Sequence, residues 1–591
     1  MFFVRWLRLT HFFVLEVILV KIEKKTGFPS VDKPWLQYYS ETAINAELPK
    51  STMYEIVYNN NQSNLEKTAL EYYGTKISYE CMLKEISIIA GNLEKYGVKE
   101  GDVVTICMIN SPETICLLFA LNKIGAVANM VYGSSTVQEL EKYILDVKSS
   151  FVFTLDIFQN KFIEIAKNVQ IKKIVVTSLS RSMKKEECEK ISNINFGQMP
   201  LPCDSCFVTW EQFFSFDEES KYTCHNPEAD AIITYTGGTT GGSKGVILQN
   251  KAVLAVVYQY ILGEKELSSN SIWALTLPLF IAYGTAFALM IPLVLGMTVI
   301  VRIPLMESIA DIYKKFKPNH IMHGPAFWEK FADDNEDLDL SNLIAPFAGG
   351  DILRLSVEKK INEYFKKNKC KYPLMNAYGI TEAGTGVATN YSYFSKIGSV
   401  GIPFVKTIIS AFDTETGEEL AYGKEGEICI QTPSVMKGYV NSQAETENIL
   451  RKHIDGKIWV HSGDLGYVNE DGFVYISGRL KRYISCVKDG VFKKVFSLDI
   501  EKELLKNPQI AKCAVVPVPN ETFNESPYAY IITKKECKDY RKLKNEIEEF
   551  CYNNLQDVYR PIKYSFVTEF PLTKIGKVDY KILEEWAKAD V

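Results

Sequence analysis

With 591 residues the chain is too long for one hydrophobic core, so length alone predicts two to four domains. Hydrophobic residues make up 47% and charged residues 24%, an ordinary globular balance. A net charge of −5 and a pI near 5.9 argue against a nucleic-acid surface or a polybasic membrane patch.

The chain opens on an apolar run, residues 12–20, preceded by Arg5 and Arg8. Glu16 interrupts it, Lys21 ends it and no small-residue cleavage site follows, whereas a spanning helix needs roughly 20 apolar residues. Residues 1–26 therefore read as an extension outside the fold, from an upstream start or as a helix making at most weak peripheral membrane contact. Cytoplasm is the expected location. Thirteen cysteines, odd in number and irregularly spaced, fit reduced thiols better than a disulfide framework.

Residues 78–96 carry Met82, Ile86, Ile89 and Leu93 at helical spacing and break at Gly97. The run 103–108 has the length and composition of a buried strand. Ser111, Pro112 and Glu113 then supply a cap, a first-turn proline and an acid for a helix running through Lys123 to near Gly125. Strands recur at 151–155 and 173–177. Strand alternating with helix at this spacing predicts a parallel α/β sheet. Residues 180–225 read as a loop-rich surface excursion. Cys203 and Cys206 form a CxxC there, with only Cys224 and His225 nearby, so no metal site is expected. Beyond Tyr378 the pattern changes to short strands such as 426–431 and 472–476. The last hundred residues predict a smaller α+β unit with helices at 499–506 and 539–553 and a strand at 514–518. A boundary falls near 478–482. His11, His320, His323 and His453 belong to no catalytic pattern and read as structural.

The most informative segment is residues 235–245, YTGGTTGGSKG, which follows the apolar run 230–234. Glycines let backbone N–H groups approach phosphate oxygens closely, and hydroxyls and a lysine add donors and charge. A Walker P-loop needs Ser or Thr after its lysine. Here Ser243 precedes Lys244 and Gly245 follows it, so that reading fails on residue order.

At this point the sequence resembles the adenylate-forming superfamily of acyl-CoA synthetases, peptide-synthetase adenylation domains and luciferases. Four further segments match in the family's order: NAYGITE at 376–382, HSGD at 461–464, SGRLK at 477–481 and PLTKIGK at 571–577. Together they cover roughly residues 30–590. The resemblance implies an α/β fold: a large N-terminal domain of stacked sheets with helices and a small β-barrel element (27–478), a hinge (479–482) and a small mobile α+β lid (483–591). It implies ATP, Mg²⁺ and CoA as the ligands and a small carboxylic acid as the substrate, with no nucleic-acid partner.

Each candidate residue suits a task in joining two anions, where charge neutralisation and alignment matter more than a strong base. Thr236, Gly237, Gly238, Thr239, Thr240, Gly241 and Lys244 suit the β- and γ-phosphates. Glu382 is a hard oxygen ligand for Mg²⁺, with Thr239 as a neighbour. Tyr378, between Ala377 and Gly379, offers an aromatic face to adenine, and Thr381 a donor to the α-phosphate. Asp464 can accept from both ribose hydroxyls, a role the resemblance implies, and Arg479 would contact ribose or phosphate. Lys577 would bridge the carboxylate and α-phosphate oxygens. Lys481 sits where the family places its hinge residue.

Two departures bear on substrate and acceptor. Residues 277–284, LPLFIAYG, resemble the acyl-pocket segment, with Ile281 at a common aromatic or His position and Phe280 or Tyr283 able to take over as gate. Gly349, Gly350 and Asp351 would form the pocket floor and adenine edge. After the hinge, residues 488–501 place Gly490 away from its usual position and Ser497 where proline is common, with Lys493 and Lys494 between. Three functions follow: an acyl-CoA synthetase, an enzyme that loads a separate carrier protein, or a nucleotide-binding member without turnover.

Overall fold

Apolar runs of strand length, buried on both faces, are the sequence form of parallel strands covered by helices. In the computed structural model four such runs, Val103–Cys107, Val127–Met130, Phe151–Leu155 and Lys173–Thr177, lie side by side in one eight-stranded sheet. The structure describes residues 25–190, 200–202, 204, 206–236, 243–304, 306–334, 337–480, 482–488, 491–534, 539–573 and 577–591. The apolar run 12–20, Cys203, Gly237, Gly238, Thr239, Thr240, Gly241, Lys481 and Gly490 lie outside these residues, as do the side chains of Lys488 and Lys494. Asp230–Thr236 pairs parallel with Val127–Met130, and Lys244–Gln249 returns antiparallel on it with Lys244 opposite Thr236. The glycine-rich residues therefore join two strands of one pair.

A second sheet has nine strands, parallel through its centre from Met375–Tyr378 across Ala345–Ala348, His320–His323, Ile272–Leu275 and Thr298–Val301 to Thr68–Tyr72. One continuous core, from Trp35 to Val474, unites the two sheets with the helices they cover. Helix Pro112–Lys123 is buried at every position. It begins as expected, with Ser111 Oγ accepting from the Thr114 amide and proline in the first turn. Buried Asn110, just before it, ties the sheets together: Nδ2 donates to the carbonyls of Leu277 (2.9 Å) and Arg302 (3.1 Å), and Oδ1 accepts from the Leu279 amide (3.0 Å). That clamp fixes the start of the segment expected to line the acyl pocket.

A third, five-stranded antiparallel sheet contains Ile408–Phe412, Gly426–Gln431, Ile458–Val468, Leu450–Lys452 and Val474–Arg479. The fourth, from Tyr483–Lys488 to Lys563–Phe566, carries helices Ser497–Leu504, Tyr540–Asn554 and Tyr580–Asp590 over two apolar clusters of its own. No described helix is long and apolar enough to cross a membrane.

Three expectations shift. Residues 180–225 are more ordered than their composition predicts, with helix Lys185–Lys190, strand Phe207–Thr209 at the sheet edge and helix Trp210–Phe213. Aromatic packing is the reason: Phe213 stacks on Tyr96 at 4.0 Å, and the tilted rings of Trp210 and Phe214 pack at 4.4 Å. His225 Nδ1 pairs with Glu55. The strand expected at 472–476 is Val474–Arg479: Gly472 turns at φ +92° and pairing carries the strand on to Arg479. The helix expected at 499–506 is Ser497–Leu504.

His320 and His323, both buried on one strand, have pKa values pushed down by burial to about 3. Both ring nitrogens of His320 have no hydrogen-bond partner among the described residues. A histidine held neutral in the fold binds its proton only on unfolding, so stability present above the unfolded pKa is lost as pH falls toward 3. At pH 5 the cost is about 2 kcal/mol for each ring. His320→Leu is expected to shrink the drop in unfolding temperature between pH 7 and pH 5, read by calorimetry or near-UV circular dichroism.

Candidate active site

The parallel strand Met375–Tyr378 ends at Gly379, and the chain turns there through the 3₁₀ turn Thr381–Ala383. A β-carbon at Gly379 would lie 1.5 Å from the Thr385 carbonyl oxygen, so only glycine permits this turn. The turn delivers Thr381 and Glu382 to a cavity of about 550 Å³. Glu382 Oε1 accepts from the Tyr439 hydroxyl at 2.6 Å. Tyr439 in turn lies under Lys244, whose Nζ is 5.1 Å from the ring centre and pairs with Glu445. A cation and two carboxylates therefore share one wall, beside Thr236 at the end of its strand.

A second wall comes from the third sheet. Asp464 and Arg479 face each other across adjacent strands, and Arg479 Nε donates to Asp464 Oδ1 at 2.7 Å. The Tyr378 hydroxyl donates to Asp464 Oδ2 at 2.6 Å, and the Asp464 amide donates to Ser462 Oγ at 3.0 Å. Asp464 is 3% exposed. Burial pushes its carboxyl above the usual aspartate range, against the opposing pull of Arg479, Tyr378 and Lys577. Asp464 holds the Arg479 guanidinium above its ordinary value.

Lys577 closes the cavity from the C-terminal unit. Its loop is pinned twice on Thr573: the Thr573 amide donates to the Lys577 carbonyl at 2.6 Å, and the Lys577 amide donates to Thr573 Oγ1 at 3.1 Å. Burial lowers the Lys577 pKa. Asp351 and Asp464 raise it in opposition, while Arg479 lowers it further.

The remaining wall is apolar. Ile281, Tyr283, Phe287, Phe347 and Gly349 line it, with the Tyr283 ring centre 6.2 Å from both phenylalanines. Gly350 turns the backbone at φ +88°.

Of the residues expected from sequence, the cavity brings together Thr236, Lys244, Ile281, Tyr283, Gly349, Gly350, Ala377, Tyr378, Gly379, Thr381, Glu382, Arg479 and Lys577, with Asp464 hydrogen-bonded behind Tyr378. Phe280 is off the wall: it is buried and packs on Tyr132 at 4.4 Å. Phe280 lies in the turn before helix Tyr283–Leu289 and points into the core, while Ile281, Ala282 and Tyr283 after it line the cavity. Asp351 is exposed at the rim and reaches the site through its field at Lys577. Residues not anticipated include Tyr439, Glu445, Glu427 and Arg451. None carries a local sequence cue: Tyr439 reaches the site because the Gly438–Tyr439 strand pairs with Lys244–Gln249.

The sequence matches the AMP-binding enzyme family over residues 57–440 and the AMP-binding enzyme C-terminal domain over residues 499–577. The chain belongs to the AMP-binding enzyme family. It is an adenylate-forming enzyme of the acid–CoA ligase type, one that activates an acid with ATP. A long-chain-fatty-acid–CoA ligase of Bacillus subtilis is 27% identical over 584 residues, 94% of this chain and 98% of that protein. A probable 4-coumarate–CoA ligase 1 of Dictyostelium discoideum is 27% identical over 513 residues, 84% and 89% of the two chains. ATP-bound MatB from Rhodopseudomonas palustris shares the fold, with a TM-score of 0.78 at 22% identity over 91% of this chain and 99% of that one. The AMP-binding family members named for fatty and for aromatic acids stand at equal identity, so likeness alone does not select the acid.

Proposed function

We propose that this enzyme converts an apolar carboxylic acid, a fatty acid foremost, into its acyl-AMP and then into its CoA thioester. The observation that carries the reading is one cavity with two characters. Lys244, Glu382, Arg479 and Lys577 gather on its polar walls, and Ile281, Phe287 and Phe347 line the apolar one. The apolar wall is what supports the acid class.

In the first step a carboxylate oxygen of the acid attacks the α-phosphorus of ATP and pyrophosphate leaves. Two anions must approach, so positive charge placed beforehand does most of the work. Lys244 holds the leaving phosphates, exchanging its Glu445 partner for them. Lys577 spans the carboxylate and α-phosphate oxygens, and Thr381 donates to the α-phosphate. Asp464 accepts from the ribose hydroxyls, while Arg479 keeps it ionised and contacts ribose or phosphate. Tyr378 presents its ring to adenine with its hydroxyl anchored on Asp464, and Gly350, Asp351 and Ala377 edge the base. Glu382 presents a carboxylate to the polar cavity beside Lys244, a donor of the hard type magnesium prefers, and would hold Mg²⁺ on the phosphates with Thr239 as neighbour. The ion would supply further neutralisation of the phosphate charge. In the second step the CoA thiol attacks the acyl carbonyl, AMP leaves and the thiol proton is released.

For this step residues 483–591 act as a lid that rotates about residues 479–482, with Lys481 as pivot, relative to residues 27–478. Residues 488–501 depart from the family pattern, so a carrier-protein pantetheine is the alternative acceptor.

Pyrophosphate release measured across short, medium, long-chain and aromatic acids, with and without CoA, tests the reading. Turnover is expected to rise with chain length and to be stimulated by CoA. Turnover indifferent to CoA would move the acceptor to a carrier protein, and preference for a short charged acid would overturn the apolar assignment.

A further inference from the structure

We propose that Glu427, Cys429 and His461 form a binding site for one borderline-soft divalent transition-metal ion, zinc being the fitting case. The site sits on the face of the third sheet that borders the cavity.

The backbone builds the cluster. Glu427 and Cys429 are two residues apart on strand Gly426–Gln431, so their side chains share a face. Cys429 lies directly opposite His461 on the antiparallel neighbour Ile458–Val468. A register shift between Glu427 and Cys429 draws the carboxylate toward the same imidazole. One oxygen, one sulfur and one nitrogen donor thus lie within 4.8 Å of one another. His461 Nδ1 is 2.8 Å from Glu427 Oε2 and 3.5 Å from Cys429 Sγ. Donors bound tetrahedrally to zinc at the usual bond lengths stand about 3.2–3.6 Å apart. The sulfur–nitrogen edge already meets that spacing, the nitrogen–oxygen edge has to open by about half an ångström, and the oxygen–sulfur edge lies within 4.8 Å.

The surroundings fit as well. Glu427 Oε1 is held by the Gly463 amide at 3.0 Å, which aims Oε2 at the cluster. Histidines that bind metal through one ring nitrogen commonly use the other in a hydrogen bond that fixes the tautomer. His461 Nε2 lies 2.9 Å from His453 Nε2, which supplies that partner, and His453 is itself stacked on Trp459 at 5.5 Å. Carboxylate and thiolate together neutralise a divalent ion. Binding releases the thiol proton and requires His461 Nδ1 bare toward the ion, with its one proton on Nε2 donated to His453 Nε2 and the His453 proton on Nδ1. Cys429 is fully buried, whereas Glu427 and His461 line the cavity, so the fourth coordination position opens toward solvent in the cavity. An ion here would join the two strands and cancel the negative charge of Glu427 on the wall that carries Ser462 and Gly463.

The inference does not depend on which acid is activated. Reduced full-length protein, stripped with a chelator, is titrated with Co²⁺ and then Zn²⁺. The expected result is one Co²⁺ per chain with a thiolate-to-cobalt charge-transfer band that zinc displaces. Cys429→Ser should abolish the band, and His453→Gln should weaken binding about tenfold. Absence of any band, or its persistence in Cys429→Ser, would overturn the site and leave the three residues as a hydrogen-bonded cluster. Should Cys429→Ser fail to fold, Glu427→Gln decides, since it keeps every cysteine. At least tenfold weaker binding supports the site, and unchanged binding overturns it.

Discussion

Lys577→Ala is expected to slow acyl-AMP formation by about 10²–10³-fold, a loss of about 3–4 kcal/mol of transition-state stabilisation. ATP–pyrophosphate exchange isolates that step. Thioester formation from supplied acyl-AMP should stay within a few-fold of the parent, because in the proposed mechanism the lysine acts only in the conformation that closes on ATP. The pH profile gives a second handle. Burial lowers the Lys577 pKa, so its charge is lost at lower pH than for a free lysine, and adenylation should fall on an alkaline limb set by that group. Lys577→Arg, which stays protonated, should move the limb upward even if its rate is lower. An exchange rate unchanged in Lys577→Ala would remove the residue from the reaction. Activity lost in both half-reactions would point instead to collapse of the Thr573–Lys577 loop.

Which parts of this site could be read from sequence follows from how each is built. Gly379, Thr381 and Glu382 come from one tight turn after one strand, so their order along the chain is their order in space. The same holds for Thr236 and Lys244, which face each other across a strand pair. Such local constructions leave ordered motifs. Glu445 and Arg451 reach the cavity from a helix and a short strand with no special composition, and Glu445 becomes significant only when Lys244 is found beside it. The Glu427–Cys429–His461 cluster shows the same limit. Cys429 and His461 are neighbours because of β pairing between strands 32 residues apart, a relation that ligand-spacing rules for local motifs do not express. His453 belonged to no sequence pattern for the same reason. Phe280 illustrates a different failure, since a motif position one residue from the wall faces the opposite side. At the level of architecture, buried apolar runs announced the parallel sheets plainly. Residues 180–225 read as loop-rich because charge and proline mask the aromatic cluster around Phe213 that orders part of them.

Asp464→Asn is expected to raise the KM for ATP by about 10- to 100-fold while affecting kcat less, because in the proposed mechanism the carboxylate holds the ribose throughout the reaction. In the resting site its two oxygens are both engaged, by Arg479 and by Tyr378. The amide can still accept from Tyr378 but leaves Arg479 without its charged partner. The side chain of Arg479 is about half exposed, so water offsets part of that loss and the fold is expected to survive. The acid side of the profile separates the charge from the shape. Burial raises the Asp464 pKa, so the parent enzyme should lose ATP affinity as pH falls, starting above the usual aspartate range, and the Asn variant should show no such limb. Tyr378→Phe provides the complement: it removes one donor while keeping the ring for adenine, and should raise KM by less than tenfold. Equal effects of Asp464→Asn on KM and kcat would mean that the carboxylate positions the α-phosphate as well as the sugar.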